Sequence, residues 1–196
     1  MEAAAYADEQ YLDYEMIGGK VVMMAPPRIA HATVSRNLLV IFGNRLKGKT
    51  CEPFSEVSVH FDKKNQFIPD LVVVCNPDKI KPTHIEGAPD LVVEILSPRT
   101  AKNDRTKKLA IYEQYGVREY WIVHPEGRFI EVYKLTEGKL LLDEVYHEPN
   151  AVDYAEQEWF LDGDSRKGPI PEEIPVGIYE DFSIPLKDVF EGVKER

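Results

Sequence analysis

The sequence predicts an α/β fold with a mixed central sheet and helices on its faces. Three observations carry this reading. Phe67 to Cys75 and Leu91 to Leu96 are runs of apolar residues without clear alternation, the pattern of strands buried on both faces. Residues 29–47 and 103–115 carry helical periodicity and separate strand-like stretches. Much of the remaining chain alternates in short segments divided by glycine, proline and polar turns. The expected order is hairpin, helix, three strands, helix, strand, hairpin. It forms one domain over residues 1–196, with 1–13 and 147–175 peripheral.

Residues 1–13 are acidic and aromatic, packing loosely or forming a short helix. Met16 to Met24 reads as a hairpin around Gly18-Gly19, a two-residue turn. Pro26-Pro27 ends it. From Ile29 to Lys47 the stripe is Val34, Leu38, Ile41 and Leu46, widened by Val40 and Phe42, with Gly48 as the stop. Cys51 to Asp62 alternates and reads as one strand or hairpin arm, closed by the polar turn Lys63-Lys64-Asn65-Gln66. Residues 76–87 form a polar loop between the two buried strands. Asn103 or Asp104 caps the next helix, which ends at Gly116. Arg118 to His124 is a strand, and Phe129–Leu135 and Lys139–Tyr146 form a hairpin around Glu137-Gly138. Residues 147–175 read as an ordered loop holding the apolar island Glu158-Trp159-Phe160-Leu161. A short helix follows Ile184-Pro185 and runs through Phe190.

Composition narrows the classes. A chain of 196 residues, 43% of them apolar, can bury a sizeable core. No apolar run approaches the roughly 18 residues of a membrane span, and the start lacks the basic and apolar regions of a secretory signal. Cys51 and Cys75 form no metal-ligand pattern, and free thiols in a reducing cytoplasm are expected. A net charge of −10 weighs against an extended nucleic-acid grip. It leaves room for local positive charge: Arg99, Lys102, Arg105, Lys107 and Lys108 lie within ten residues, offset only by Asp104.

That basic cluster follows an unusual acid. Glu94 closes the run Leu91-Val92-Val93, and Asp70 stands against Leu71-Val72-Val73-Val74. A carboxylate in such surroundings needs a partner, because an unpaired buried charge is costly. The expectation is that Asp70 and Glu94 meet on neighbouring strands within about 6 Å, a distance one hard cation bridges through oxygen ligands. Lys108 shares a helix face with Asp104 and Tyr112, at four-residue spacing, and reaches the acids from it. Lys107 lies about 100° round the helix. As an exposed-face charge, Lys108 is expected to contribute about 0–1 kcal/mol to folding. Two acids in one pocket repel, so at least one should titrate high unless Lys108 compensates. Two carboxylates, Mg²⁺ and a lysine are the parts of metal-assisted phosphodiester hydrolysis.

Pro69-Asp70, Pro89-Asp90-Leu-Val-Val-Glu94-Ile-Leu-Ser97-Pro98, Asp104-x-x-x-Lys108-x-x-x-Tyr112 and Gly116-Val-x-Glu119-Tyr120-Trp121-Ile-Val together resemble the Uma2 family, over roughly residues 10–190. That family is placed among the PD-(D/E)xK restriction-endonuclease-like proteins. The resemblance implies an αβββαβ core, a nuclease site loaded with Mg²⁺ or Mn²⁺ and DNA as substrate, and it admits a homodimer. Asp70 becomes the acid of the "PD" element and Glu94 that of the "(D/E)xK" element, with the Ile95 backbone carbonyl as a third metal ligand. Two positions depart from the pattern. Leu96 stands where the motif lysine belongs, and Lys108 substitutes for it. The first helix offers no glutamate, and His31 is the nearest replacement, against the alternative of a packed or capping histidine.

Each site residue has a plainer reading beside it. Asp104 reads as a helix cap, Lys107 as a competitor of Lys108, and Ser97 and Tyr112 as phosphate contacts or buttresses. Asp90 reads as a turn acid, and Tyr120-Trp121 as core instead of a base-stacking platform. The alternative function is a catalytically silent nuclease fold acting as a binding or interaction module, motivated by the acidic charge and the missing motif lysine.

Overall fold

The computed structural model describes residues 14–97, 100–149 and 171–194. The readings made for residues 1–13, for most of 147–175 with its Trp159 island, and for Pro98 and Arg99 lie outside the described residues.

The chain opens as expected. Strands β1 (Tyr14–Ile17) and β2 (Lys20–Met23) pair antiparallel from Tyr14↔Met23 to Ile17↔Lys20. Gly18 and Gly19 turn between them at φ of 59° and 79°, the left-handed conformation that such a turn demands of both central residues. Helix α1 (Ile29–Leu46) buries Val34, Leu38, Phe42 and Leu46, which recur every four residues. Ile41, assigned to this stripe from the sequence, is only half-buried, because the four-residue row passes through Phe42 instead.

The next stretch corrects the reading. The single strand expected over Cys51–Asp62 is two, β3 (Glu52–Phe54) and β4 (Val59–His60), parted where Glu56 takes a φ of 52°. The buried strand expected over Phe67–Cys75 is likewise two, β5 (Gln66–Phe67) and β6 (Leu71–Val74). Pro69 has no N–H to donate to a ladder, so the chain leaves one sheet at Ile68-Pro69-Asp70 and joins another. A 3₁₀ turn at Pro77–Lys79 and strand β7 (Ile85–Glu86) lead to β8 (Leu91–Ile95).

The second helical region starts earlier than its expected caps. Helix α2 (Ala101–Asn103) runs into a π-helical turn, Asp104–Lys108, and then into α3 (Leu109–Tyr115). The backbone N–H of Ala101 donates to the Ser97 carbonyl, and Ser97 and Thr100 bond one another. Asp104 is therefore inside the helical run and not its cap. Gly116 closes α3 at a φ of 80°. Strands β9 (Glu119–His124), β10 (Phe129–Thr136) and β11 (Lys139–His147) follow. After the undescribed segment, β12 (Glu173–Pro175) and β13 (Ser183–Pro185) form a ribbon and α4 (Leu186–Phe190) ends the described chain.

Six strands make the main sheet, in the order β11-β10-β9-β8-β6-β3; β8 and β9 are parallel and the other pairs antiparallel. A smaller sheet, β2-β1-β5-β4-β7, covers part of one face. Side-chain alternation splits the core in two. Leu71, Val73, Leu91, Val93, Ile95 and Trp121 pack with α1 and α4. Val72, Val74, Val92, Tyr120 and Ile122 pack with Tyr112 of α3 and with Phe67 and Val59 of the small sheet. Glu94, two residues after Val92, belongs to this second face.

Two structural devices stood apart from the sequence reading. The register Glu52↔Val74 sets Cys51 opposite Cys75, and they form a disulfide, not free thiols. Strand pairing brings them together across 24 residues, so their spacing in sequence did not reveal it. The bridge also removes the observation on which a reducing compartment was expected. Glu119, buried in β9, accepts from Trp121 Nε1 at 2.7 Å and from the Ile178 backbone N–H at 3.0 Å. It thus ties the C-terminal segment to the sheet. No described helix is long and apolar enough to cross a membrane.

Candidate functional site

The register of β6 and β8 pairs Leu71 with Val93, so one step further it sets Asp70 opposite Glu94, at the end of the sheet where the chain breaks at Pro69. The two carboxylates then take different partners. Asp70 accepts the Ile95 backbone N–H on Oδ2 at 2.6 Å, and its Oδ1 lies 3.1 Å from His31 Nε2. Glu94 receives both of its hydrogen bonds on Oε1, from Lys108 Nζ at 2.9 Å and from the Tyr112 hydroxyl at 2.6 Å. Among the described residues its Oε2 takes no hydrogen bond.

Lys108 is not on an exposed face. Its side chain is 4% exposed, and its ammonium group lies 2.7 Å from Glu15 Oε1, 2.9 Å from Glu94 Oε1 and 3.8 Å from Asp104 Oδ1. The π turn is the local cause. It spans Asp104 to Lys108, burying both while Arg105, Thr106 and Lys107 stay exposed. Such inserted turns recur at functional sites. The expectation of a lysine worth about 0–1 kcal/mol therefore fails, because it assumed a solvated charge where the structure has a buried one.

The acids outnumber the cation, and their protonation follows. Burial pushes the Glu94 carboxyl well above its usual range; Lys108 opposes this, while Asp104, Glu15 and Asp70 add to it. Asp104 is pushed up to about 6, again by burial against the pull of Lys108. Lys108 moves the other way: burial would lower it, but Glu94, Glu15 and Asp104 together hold it above its ordinary value. Tyr112 is raised by burial and by the Glu94 carboxylate it faces. Burial depresses the His31 imidazole, but the hydrogen bond to Asp70 and its charge outweigh this and leave it raised; His31 Nδ1 is buried without a hydrogen bond among the described residues.

The sequence-selected residues divide accordingly. Glu94, Lys108, Asp104 and Tyr112 form one buried network. Asp70 and His31 form a second pair beside Ile95, joined to the first through the Ile95 N–H. Ser97 belongs to the turn before α2 and bonds Thr100. Lys107 is exposed on the outer side of the π turn. Arg105 pairs with Glu131 and His124 at the end of β9. Asp90 accepts from the Cys75 N–H at 2.8 Å and faces Arg118, which matches a turn acid. Tyr120 and Trp121 are fully buried, as core.

One member of the network was missed. Glu15, on β1, is 5% exposed, and its Oε1 accepts from both Lys108 Nζ and the Ile68 backbone N–H, the latter at 3.0 Å. The signal was present in the strand phase, since Glu15 and Ile17 share the inward side of β1 while Tyr14 points out.

A divalent ion fits this donor set. Asp70, Glu94 and the Ile95 carbonyl are hard oxygen donors, the chemistry of Mg²⁺ or Mn²⁺. Acids exceed cations here: Asp70, Glu94, Asp104 and Glu15 face Lys108 and His31. Asp104 Oδ1 is buried without a hydrogen bond among the described residues. No three His, Cys, Asp or Glu side chains among the described residues are arranged around one ion position.

An α/β core with acids on two adjacent central strands, flanked by a first helix and a following helix, defines a restriction-endonuclease-like protein. The model of the Uma2 family, described as "Putative restriction endonuclease", matches residues 2–161, and the chain belongs to that family. An uncharacterised protein of Synechocystis is 30% identical over 135 residues, spanning 67% of this chain and 71% of that protein. In fold, the chain is similar to a crystal structure from Anabaena variabilis described as "a putative nuclease belonging to DUF820". That similarity has a TM-score of 0.66 at 21% identity and covers 90% of this chain and 89% of the other.

Proposed function

We propose that this protein is a divalent-metal-dependent endonuclease hydrolysing DNA phosphodiester bonds, with Mg²⁺ or Mn²⁺ held by Asp70, Glu94 and the Ile95 backbone carbonyl. The observation that carries the reading is the placement of Asp70 opposite Glu94, with Glu94 Oε2 free of hydrogen bonds among the described residues while Oε1 is fixed by Lys108 and Tyr112. When bound, the ion would supply a Lewis acid for a phosphate oxygen and lower the pKa of a coordinated water.

The protein's own groups prepare that site. Lys108 and Tyr112 clamp one oxygen of Glu94, which fixes the carboxylate's orientation and favours its ionised form. Lys108 touches three carboxylates and no open surface, so it is a positioning residue in this arrangement and the substitute for the motif lysine only in charge. The Ile95 N–H holds Asp70 Oδ2 and leaves Oδ1 facing His31. His31 sits against that oxygen, placed to hold a proton at its ring nitrogen beside the reacting position. Lys102 and Lys107 are exposed on α2 and the π turn, where they supply local positive charge for backbone phosphates in a chain of net charge −10.

The silent-fold reading has one observation in its favour, the burial of Lys108 away from any phosphate. A single experiment separates the two. Supercoiled and single-stranded DNA are incubated with wild type and with Glu94→Ala in Mg²⁺ or Mn²⁺. Cleavage by wild type alone is expected. Absence of cleavage with either ion, together with no metal-induced rise in the wild-type melting temperature, would overturn the proposal.

A further inference from the structure

We infer that Glu15, delivered by the N-terminal hairpin, is a positioning residue that ties the two metal-binding acids to each other. The inference rests on the metal-site reading above. Its basis is one oxygen atom. Glu15 Oε1 accepts from the Lys108 ammonium at 2.7 Å and from the Ile68 backbone N–H at 3.0 Å.

Each of these bonds leads to a different acid. Ile68 opens the Ile68-Pro69-Asp70 link between the two sheets, two residues before Asp70. Pro69 lacks an N–H, and β5 has already ended at Phe67, so the Ile68 N–H is the last backbone donor before Asp70 that a side chain can anchor. Lys108 in turn holds Glu94 Oε1 at 2.9 Å. Glu15 therefore sets where the Asp70 segment begins and where the Glu94 clamp sits. No other described side chain bonds both.

The hairpin is built to deliver this group. Gly18 and Gly19 make its turn, the Gly18 N–H is held by Asn65 Oδ1 at 2.9 Å, and Met16 pairs with Gln66 of β5. These contacts fix β1 against the strand that runs into Ile68. Glu15 is as buried as Glu94, and its Oε1 is already taken by the Lys108 ammonium and the Ile68 N–H. Its action passes through Lys108 and Ile68. Removing its charge hands Lys108 over to Glu94 and Asp104 alone, which strengthens the lysine's competition with a cation for Glu94. Removing its reach frees the Asp70 segment. Both effects weaken cation binding. Groups that orient metal ligands in this manner typically account for 10–100-fold in metal affinity.

The test is Mn²⁺ affinity of the full chain, read by the electron paramagnetic resonance signal of free Mn²⁺, alongside the melting temperature without metal. Glu15→Gln keeps the shape and removes the charge. The expected result is Mn²⁺ affinity lower by about 10-fold or more, in a protein whose metal-free melting temperature stays near wild type because three crowded carboxylates have become two. A residue with a merely structural role gives the opposite pattern: a lowered metal-free melting temperature and wild-type affinity in the folded fraction. That pattern overturns the inference. Should Glu15→Gln fail to fold, Glu15→Asp decides. It keeps the charge but, one methylene shorter, cannot reach both partners; reduced affinity supports the inference and wild-type affinity overturns it. Glu94→Ala is the control for the site itself. Wild type without Mn²⁺ binding, or Glu94→Ala with unchanged binding, overturns the metal site and the inference together. Loss of binding in Glu94→Ala with full binding in folded Glu15 variants overturns the inference alone.

Discussion

Replacing Lys108 by methionine tests whether the buried network is held by charge. The substitution nearly conserves volume but removes the cation 2.7 Å from Glu15, 2.9 Å from Glu94 and 3.8 Å from Asp104. Their side chains are 7%, 6% and 2% exposed, so water does not replace the lysine. Taking one partner from a buried ion pair costs about 3–5 kcal/mol, and here three acids lose the same partner. The loss is pH-dependent, and its sign follows from the acids. Glu94 and Asp104 already bind protons more tightly in the folded state than in the unfolded one, and without Lys108 they do so more strongly. A raised carboxyl costs nothing below its unfolded value near 4, and the cost grows as pH rises towards the folded value. Lys108→Met should therefore be close to wild type near pH 4 and lose about 3–5 kcal/mol near neutrality. Urea unfolding followed by circular dichroism across that range measures both. Lys107→Met, exposed one residue away, should stay within about 0.5 kcal/mol at every pH. A Lys108→Met deficit under about 1 kcal/mol, or one independent of pH, would refute the charged network.

Two further outcomes follow from the same geometry. Asp104 titrates at about 6 in the folded protein, above its unfolded value of about 3.9, so it withdraws stability as pH rises from about 4 through 6. Asp104→Asn should therefore gain stability relative to wild type across that window, by at most about 3 kcal/mol; a variant equally destabilised at all pH values argues that the Lys108 contact outweighs burial. The Cys51–Cys75 bridge closes a loop of 24 residues in sequence, which in the chain-entropy account stabilises by about 3 kcal/mol. Dithiothreitol should lower the urea midpoint of wild type and leave Cys51→Ser/Cys75→Ser unmoved, and identical midpoints with and without reductant would show the thiols to be free.

The legible parts of the fold are those written in local patterns. The uninterrupted apolar run Leu91-Val92-Val93 announced a central strand, and Gly18-Gly19 and Gly116 marked a turn and a helix end at positions that take positive φ. Glu94 stood out because a charge in an apolar run requires a partner, and the four-residue spacing of Asp104, Lys108 and Tyr112 named the side chains that meet it. What escaped was set by pairing between distant segments. Nothing near Cys51 indicates that β3 will lie beside β6 in the register that joins it to Cys75. The break at Pro69 was visible as a proline, but not that it hands the chain from one sheet to another.

The buried state of Lys108 escaped for a related reason, and it bears on how the site works. Helical periodicity places Asp104, Lys108 and Tyr112 on one face without saying whether that face meets water or the sheet. Solvent exposure was the cheaper expectation for a lysine among Arg105, Lys107 and Lys102. The deciding fact is Glu15. A lysine facing only Glu94 and a distant Asp104 would have solvent as an alternative partner; the hairpin closes that side with a second carboxylate at 2.7 Å. The acid that sequence reading passed over is thus what makes the lysine it selected a buried one. It follows that the N-terminal hairpin, which looks like an appendage to the αβββαβ core, supplies part of the site's charge balance. Substitutions in β1 should then be read through Lys108 and Glu94 before they are read as changes to the hairpin itself.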